Sequence, residues 1–172
     1  MQIATIDFEA SGTDGYPIEV GIAIYDSQRA FLSIWSTLIK PTVGWLRTMN
    51  WDPVAAQIHG ITRAEISTAT SAFDVARQLN ELLAPIGVAY CDGWNLDTQW
   101  LNLLMVECPE HSAFHLNDAG ALARALAFPP SALFEHDQDP PLEHRAASDA
   151  ERLLRRALRF AGQDEPAACC GS

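Results

Sequence analysis

Residues 2–9 read QIATIDFE, a short run rich in apolar and β-branched side chains that ends in the acidic residues Asp7 and Glu9. Such a run is typical of a β-strand, in which residues two apart share a face. Asp7 and Glu9 therefore project from one face, about 6.6 Å apart along the chain, while Phe8 points to the other. Two like charges on one face repel unless water or a cation lies between them. The pattern predicts either a solvated strand face or a cation site.

Two more strand-like runs, Ile18–Tyr25 and Phe31–Ile39, follow after short turns. Short turns join antiparallel neighbours, so the N-terminal part is predicted to form a three-stranded antiparallel meander. The next segment contains Pro41, Gly44 and Pro53, and we expect a loop there.

After this loop the apolar pattern alternates between helical and strand periods, which is typical of parallel strands covered by helices. Helices are predicted over Ser71–Leu83, Leu96–Val106, Ala119–Ala127 and Glu143–Ala161, with Asp118 as the N-cap of the third; strands are predicted over Ile86–Cys91 and Phe114–Leu116. The Pro-rich segment Phe128–Leu142 is predicted to be a loop or lid. We therefore expect an α/β fold with a mixed five-stranded sheet and helices on both faces, in one domain over residues 1–162 with a flexible tail over 163–172.

Composition excludes several classes of protein. A chain of 172 residues with 48% hydrophobic and 19% charged residues is long enough to bury a core and is not of the disordered class. No apolar run is long enough to span a membrane, and residues 1–10 do not resemble a secretion signal. The four cysteines, Cys91, Cys108, Cys169 and Cys170, have no CxxC spacing, which favours reduced thiols and a cytoplasmic protein.

The net charge of −11 argues against general adhesion to nucleic acid or to an anionic membrane. If the substrate is a polyanion, bound metal ions or a local basic strip must overcome this charge. The candidates for such a strip are Arg152, Arg155, Arg156 and Arg159, which lie three, four and seven positions apart on the last predicted helix. A solvated face or a dimer interface would explain the same spacing.

Two more acids lie on apolar helix stripes. Asp97 shares a stripe with Trp100 and Leu101, although an acid in the first turn of a helix also complements the helix dipole. Asp149 is in line with Leu153 and other apolar residues of the last helix, although an ion pair with Arg145 or Arg152 would also explain it. His144 comes directly before that helix, within reach of the same region.

Four motifs in order along the chain resemble the DEDDh 3′-to-5′ exonucleases, the family that includes RNase T, oligoribonuclease and the polymerase III proofreading subunit. They are Asp7-Phe8-Glu9-Ala10-Ser11-Gly12, His59-Gly60-Ile61-Thr62, Asn95-Leu96-Asp97-Thr98-Gln99-Trp100-Leu101 and His144-Arg145-Ala146-Ala147-Ser148-Asp149. The resemblance covers residues 1 to about 160. Leu96 stands where the family usually has Phe, which keeps an apolar anchor.

This resemblance implies a ribonuclease H-like fold and a metal-dependent hydrolase that releases 5′-mononucleotides from the 3′ end of single-stranded DNA or RNA. It implies that Asp7, Glu9, Asp97 and Asp149 hold two divalent ions, Mg²⁺ or Mn²⁺, and that His144 is the general base. Oxygen ligands suit these hard ions. It further implies that Ala10, Ser11 and His59 contact the substrate, and that a homodimer is one assembly state to test.

The sequence leaves several alternatives open. Asp92, which ends a predicted strand, is a rival ligand to Asp97. Among the tryptophans, Trp35 and Trp100 are predicted to be core, whereas Trp45, Trp51 and Trp94 either fill gaps under loops or stack on bases. A noncatalytic nucleic-acid-binding domain of the same fold is the alternative function, and a carboxylate-lined phosphatase on another fold is a third. The motifs do not distinguish DNA from RNA.

Overall fold

Three long antiparallel strands form the first part of the sheet: β1 (Gln2–Ala10), β2 (Pro17–Asp26) and β3 (Phe31–Lys40). They appear in a computed structural model that describes residues 1–134, 143–163 and 167–168. The predicted meander is confirmed, with β1 pairing with β2 and β2 pairing with β3 in antiparallel register.

The later strands extend the sheet in parallel. β5 (Val88–Cys91) pairs with β1, and β6 (His115–Asp118) pairs with β5. Two strands of two residues, β4 (Thr70–Ser71) and β7 (Ala167–Ala168), pair with β3 in parallel. The predicted mixed sheet is therefore confirmed in its five principal strands, and its order is β4-β3-β2-β1-β5-β6 with β7 beside β3.

Three short helices occupy the segment predicted to be a loop after Lys40. They are α1 (Val43–Thr48), α2 (Pro53–His59) and α3 (Arg63–Ser67). The loop prediction was wrong because helices of five to seven residues are too short to show an apolar period. Their signals are in the caps: Asp52 accepts a hydrogen bond from the amide of Val54, and Thr62 and Glu65 form a capping box.

Four longer segments supply the remaining helices. They are α4 (Ala72–Leu83), α5 (Trp94–Met105), α6 (Ala119–Ala125) and α7 (Ala146–Phe160), and a short 3-10 helix spans Pro130–Phe134. Asp118 caps α6, as predicted, by accepting a hydrogen bond of 2.6 Å from the amide of Ala121. The last helix begins at Ala146 rather than at Glu143, because His144 has a left-handed backbone conformation with φ 49°.

Two apolar cores lie on opposite faces of the sheet, in agreement with the prediction of helices on both faces. One contains Ile6, Phe8 and the apolar residues of α4 and α5, and the other contains Ile3, Tyr25 and the apolar residues of α6 and α7. Asp7 and Glu9 lie an even number of positions from Ile3, so their side chains are on the same face of β1 as Ile3, which is the face that α7 covers.

Part of the Pro-rich segment and part of the predicted tail, including Cys169 and Cys170, lie outside the described residues. Cys91 and Cys108 are free and buried. Among the described residues, none of the helices has both the length and the hydropathy needed to traverse a bilayer.

Candidate active site

The end of β1 supplies the first two acidic side chains. Asp7 and Glu9 are partly buried, and the register between β1 and β2 shifts between Glu9 and Ala10. A register shift of this kind bends a strand and redirects the residues beside it, and such irregularities are common next to active sites. The expectation of two carboxylates on one strand face is therefore met, with a bend directly after the second.

The first turn of α5 supplies a third acid. Asp97 is 2% exposed, and its carboxylate accepts hydrogen bonds from the amide of Gly93 at 3.1 Å and from the thiol of Cys91. The amide of Phe8 in β1 also donates to it. Asp97 therefore sits in the first turn, where the dipole favours an acid, and it is also bound directly to the strand that carries Asp7.

The start of α7 supplies the fourth acid and the histidine. The possible ligand atoms of Glu9, His144 and Asp149 lie within 4.8 Å of one another, and so do those of Asp7, Asp92 and Asp97. Thr5 fixes α7 against β1 by donating a hydrogen bond of 2.7 Å to the carbonyl of Ala150. The chain thus brings together residues from three elements that are far apart in sequence.

The group that contains Asp7 and the group that contains Glu9 are electrostatically coupled. The charges that raise the pKa of Asp7 come from both groups: Asp97, Asp92, Asp149 and Glu9. Burial raises the pKa of Asp7 well above its ordinary value, and these carboxylates raise it further. Burial, followed by the charge of Asp149, raises the pKa of Glu9 to about 7.

The pKa values of the other two acids are raised as well. Burial and then the charge of Asp92 raise the pKa of Asp97 to about 7. Burial raises the pKa of Asp149 more than the nearby Arg152 lowers it. Carboxylates held this close favour either protons or a cation between them, and their oxygens are the ligands that Mg²⁺ and Mn²⁺ prefer. The donor set fits a pair of hard divalent ions, and it does not fit the reading of a solvated strand face.

The geometry distinguishes the alternatives that the sequence leaves open for Asp92 and Asp149. Asp92 and Asp97 both have carboxylate oxygens close to Asp7, so Asp92 does not take the place of Asp97 as a candidate ligand. Asp92 is exposed, whereas Asp97 is buried. Asp149 does form an ion pair with Arg152, at 3.1 Å, whereas Arg145 pairs with Glu19 on β2. Glu19 was not noticed in the sequence, although a charged residue within an otherwise apolar strand was the available signal.

A cavity of about 280 Å³ lies next to Glu9. Its lining comes from the end of β1, from α2 and from α5: Glu9, Ala10, Gly12, Thr13, Asp52, Val54, Ala55, Ile58, His59 and Trp100. Of the three residues predicted to contact substrate, Ala10 and His59 line this cavity. Ser11 does not line it, since its buried hydroxyl donates to the carbonyl of Asn50 and accepts from the amide of Tyr16.

His59 is held in one tautomeric state. It is 5% exposed, and its Nδ1 accepts a hydrogen bond of 3.0 Å from the amide of Ile61. Burial lowers the pKa of this imidazole, which favours its neutral form. A neutral ring whose Nδ1 accepts must carry its proton on Nε2. Among the described residues no acceptor forms a well-aligned hydrogen bond with this buried atom, although the nearby backbone of Ala10 interacts with the imidazole and partly offsets the lowering of its pKa by burial.

The tryptophans divide between core and surface. Trp100 is buried and Trp35 packs against the core, as predicted. Trp45 is also buried and stacks on Tyr16, with ring centroids 6.0 Å apart, so it fills the core under α1. Trp94 is 40% exposed at the start of α5, near Asp97.

The arginines of α7 do not form one solvated stripe. Arg156 is buried and donates a hydrogen bond of 2.6 Å to the carbonyl of Leu133, in the short 3-10 helix. Arg152 pairs with Asp149, and Arg155 pairs with Glu151 at 2.6 Å. At least these three guanidinium groups are engaged within the protein, which weakens the reading of the stripe as a continuous phosphate track.

Comparison with known proteins identifies the family of the chain. The family described as RNase T, exonuclease, matches residues 5–156, a range that contains the four acids and His144. The chain belongs to the RNase T exonuclease family. This membership confirms the resemblance to the DEDDh 3′-to-5′ exonucleases and the assignment of the chain as an exonuclease. Among the curated proteins, no sequence matches the chain significantly.

Solved structures confirm the ribonuclease H-like exonuclease fold. Exonuclease X in complex with 5′ overhanging duplex DNA superposes with a TM-score of 0.61 at 21% identity, over 95% of each chain. A structure that describes 3′-end specific recognition of a histone mRNA stem-loop by a 3′-exonuclease gives a TM-score of 0.66 at 17% identity, over 96% of this chain and 64% of that one. A full-length 3′-exonuclease gives a TM-score of 0.62 at 17% identity, over 94% of this chain and 60% of that one.

Proposed function

We propose that this exonuclease removes 5′-mononucleotides one at a time from the 3′ end of single-stranded DNA or RNA. The observation that carries the proposal is the convergence of Asp7, Glu9, Asp97, Asp149 and His144 at the end of β1, beside a cavity. Hydrolysis of a phosphodiester needs a base for the attacking water and positive charge at the phosphate. The five side chains provide the base and the ligands for that charge.

In this proposal the four acids hold two divalent ions, Mg²⁺ or Mn²⁺. Their crowding and their raised pKa values support it, because ions would relieve the repulsion between the carboxylates. When bound there, the ions would polarise the scissile phosphate and stabilise the leaving oxygen. Asp92 stands at the exposed rim of the same group and adds negative charge.

His144 acts as the general base on the attacking water. A neutral imidazole can accept a proton near physiological pH, and His144 is only partly buried, so water can reach it. Its ring lies close to Glu9 and Asp149, on the side of the site that faces α7. In this proposal the imidazole of His144 takes up the proton that the attacking water loses.

The terminal nucleotide occupies the cavity beside Glu9. His59 offers its Nε2–H as a hydrogen-bond donor to an oxygen of the nucleotide, and Ala10 provides a close apolar contact. Ser11 supports this wall from behind through its hydrogen bonds to Asn50 and Tyr16. The exposed ring of Trp94 is suited to stack on a base.

The chain's negative charge makes ion binding a condition for substrate binding. With a net charge of −11 and four carboxylates in the site, the metal-free protein repels a phosphate backbone. We therefore expect oligonucleotide affinity to fall sharply in EDTA, and we expect little affinity for long duplexes in any condition.

The deciding experiment is a time course on 3′-labelled and 5′-labelled single-stranded DNA and RNA oligonucleotides, with Mg²⁺, Mn²⁺ or EDTA. The expected result is immediate release of labelled mononucleotide from the 3′ label and a descending ladder from the 5′ label, with no reaction in EDTA. Internal cleavage, or release of inorganic phosphate alone, would contradict the proposal. The same gel identifies the preferred sugar.

Two variants test the assigned roles, each with a matched control. Asp7→Ala should abolish metal-dependent activity while the protein stays folded, and Asp118→Ala, a helix cap elsewhere, should not. His144→Ala should lower turnover while metal still binds, and the exposed His115→Ala should leave turnover unchanged. Full activity of Asp7→Ala or His144→Ala would remove that residue from the mechanism.

We also propose that the protein works in the cytoplasm, where thiols such as those of Cys91 and Cys108 stay reduced. Assembly as a homodimer is a separate proposal that comes from the family resemblance. Light scattering coupled to size-exclusion chromatography distinguishes one chain from two.

A further inference from the structure

Glu19 is a buried charge in the middle of the sheet. It lies on β2 directly opposite Glu9, its partner in the antiparallel register with β1, and its side chain is 3% exposed. Like charges at facing positions of neighbouring strands destabilise a sheet, and a buried carboxylate is costly unless it is fully paired. Glu19 therefore needs strong hydrogen-bond donors, and residues at the start of α7 provide them.

Three donors satisfy the Glu19 carboxylate. Nε of Arg145 donates to Oε2 at 3.0 Å, Nη2 of Arg145 donates to Oε1 at 2.5 Å, and the amide of Ala146 donates to Oε2 at 3.1 Å. A two-point contact between guanidinium and carboxylate fixes direction as well as distance. The partners are 126 and 127 positions away in sequence, so this contact joins β2 to the start of α7.

The contact also completes the helix. Ala146 is the first residue of α7, and Arg145 at the N-cap makes no side-chain cap hydrogen bond. The first amides of a helix lack partners within the helix and favour a negative charge. Glu19, on β2, supplies both a hydrogen-bond acceptor for the first amide of α7 and a negative charge at its N-terminus. Close approach is possible because Gly21 follows on the same strand: a Cβ there would lie 2.2 Å from the carbonyl carbon of Ala146.

His144 comes directly before Arg145 and Ala146, the two residues that Glu19 binds. Its φ of 49° is a conformation that residues with a side chain adopt only at a cost, so the surrounding contacts must hold it. Glu19 fixes the next two residues, Arg145 and Ala146, and with them the direction in which the His144 ring leaves the chain. A nitrogen of that ring lies within 4.8 Å of carboxylate oxygens of Glu9 and Asp149.

We infer that Glu19 is a positioning residue of the exonuclease: by binding Arg145 and capping α7, it holds His144 in the orientation required for the general base. This inference rests on the proposed function. Glu19 itself does not touch the reacting atoms, and its effect on turnover passes through His144.

The test is a double-variant cycle. Glu19→Gln is made in the wild-type protein and in His144→Ala, and hydrolysis is followed in single turnovers with enzyme in excess, so that slow reactions remain measurable. We expect Glu19→Gln to lower the rate by about tenfold or more in the wild type and by less than about twofold in His144→Ala, with KM changed by less than about twofold. Calorimetric titration with Mn²⁺ should give similar affinities for wild type and Glu19→Gln, since none of the four acids is altered and Asp149 stays anchored beside β1 through the hydrogen bond from Thr5 to Ala150.

A matched control and a second variant accompany the cycle. Asp26→Asn removes another buried β2 carboxylate that pairs with an arginine, Arg29, at the far end of the strand, and it should leave the rate unchanged. If Glu19→Gln does not fold, Arg145→Met takes its place. It keeps the carboxylate cap on Ala146 but removes the guanidinium partner of the buried Glu19, so its free energy of unfolding in urea is measured first and its rate is compared at a temperature at which it stays folded.

The outcomes separate the two proposals. An equal rate loss in both backgrounds, or a loss that appears in KM or in Mn²⁺ affinity, would show that Glu19 serves only the fold and would overturn this inference. A wild-type protein that releases no nucleotide with either metal would overturn the proposed function itself.

Discussion

Replacing Glu9 by Gln should stabilise the metal-free protein while removing its activity. Burial and the charge of Asp149 raise the pKa of Glu9 from its ordinary value of 4.5 to about 7. Between these values the folded state holds a proton that the unfolded state has lost. The stability contributed by protonated Glu9 is therefore complete below about pH 4.5 and is lost as the pH rises through about 7. A glutamine stays neutral and avoids this loss.

The size of the effect follows from the shift. At 1.36 kcal/mol for each pKa unit, a rise from 4.5 to about 7 corresponds to about 3 kcal/mol at high pH. Because Glu9 is partly exposed, screening by solvent reduces this to about 1.5–2 kcal/mol. A domain of this size gains about 2–4 °C in Tm for each kcal/mol, so the expected gain is about 3–8 °C at pH 8 and close to zero at pH 4.5.

The assay is thermal unfolding of wild type and Glu9→Gln in EDTA at several pH values, followed by circular dichroism. Glu110→Gln, at an exposed loop position, is the control and should leave the Tm unchanged. Added Mn²⁺ should raise the Tm of the wild type at pH 8 and have little effect on Glu9→Gln. A loss of stability in metal-free Glu9→Gln at pH 8, or a gain that does not vary with pH, would refute the electrostatic account of the site.

Three other substitutions address the contacts around the site. Gly21→Ala places a methyl group 2.2 Å from the Ala146 backbone and should cost about 1–3 kcal/mol of stability together with most of the activity; unchanged turnover would mean that α7 can shift freely. Thr5→Val removes the 2.7 Å hydrogen bond to Ala150 and should cost about 1–2 kcal/mol in urea unfolding, and an unchanged midpoint would contradict its role in fixing α7. Trp94→Ala should raise KM several-fold with kcat unchanged if the exposed ring stacks on a base, whereas an effect on kcat alone would exclude stacking.

The principal strands, the longer helices and the five residues that the fold brings together at the end of β1 could be predicted from the sequence. The strands are long enough for their composition and turns to be distinctive, and Asp97 and Asp149 stand out because each lies on an apolar helix face. These signals are local. Each one depends on residues within a few positions of the acid itself.

What the sequence did not reveal depends on contacts between distant segments. Glu19 pairs with a residue 126 positions away, and no local pattern identifies that partner. Arg156 shares its helical spacing with other arginines, yet it is buried because the 3-10 helix at Pro130–Phe134 covers that side of α7. α7 begins at Ala146 and not at the predicted Glu143 because of the left-handed backbone conformation of His144, which the apolar periodicity of the sequence does not indicate.

In the proposed mechanism, the attachment of α7 to β1 and β2 also determines when the enzyme acquires activity during its synthesis. Asp7, Glu9 and Asp97 leave the ribosome well before His144 and Asp149, and the last two reach the site only when α7 docks beside Thr5 and Gly21. A nascent chain can thus form most of its sheet while it still lacks the base and the fourth acid. If His144 and Asp149 have the proposed roles, we expect no nuclease activity until the last helix has been translated, and we expect incomplete chains to leave nucleic acid near the site of translation intact.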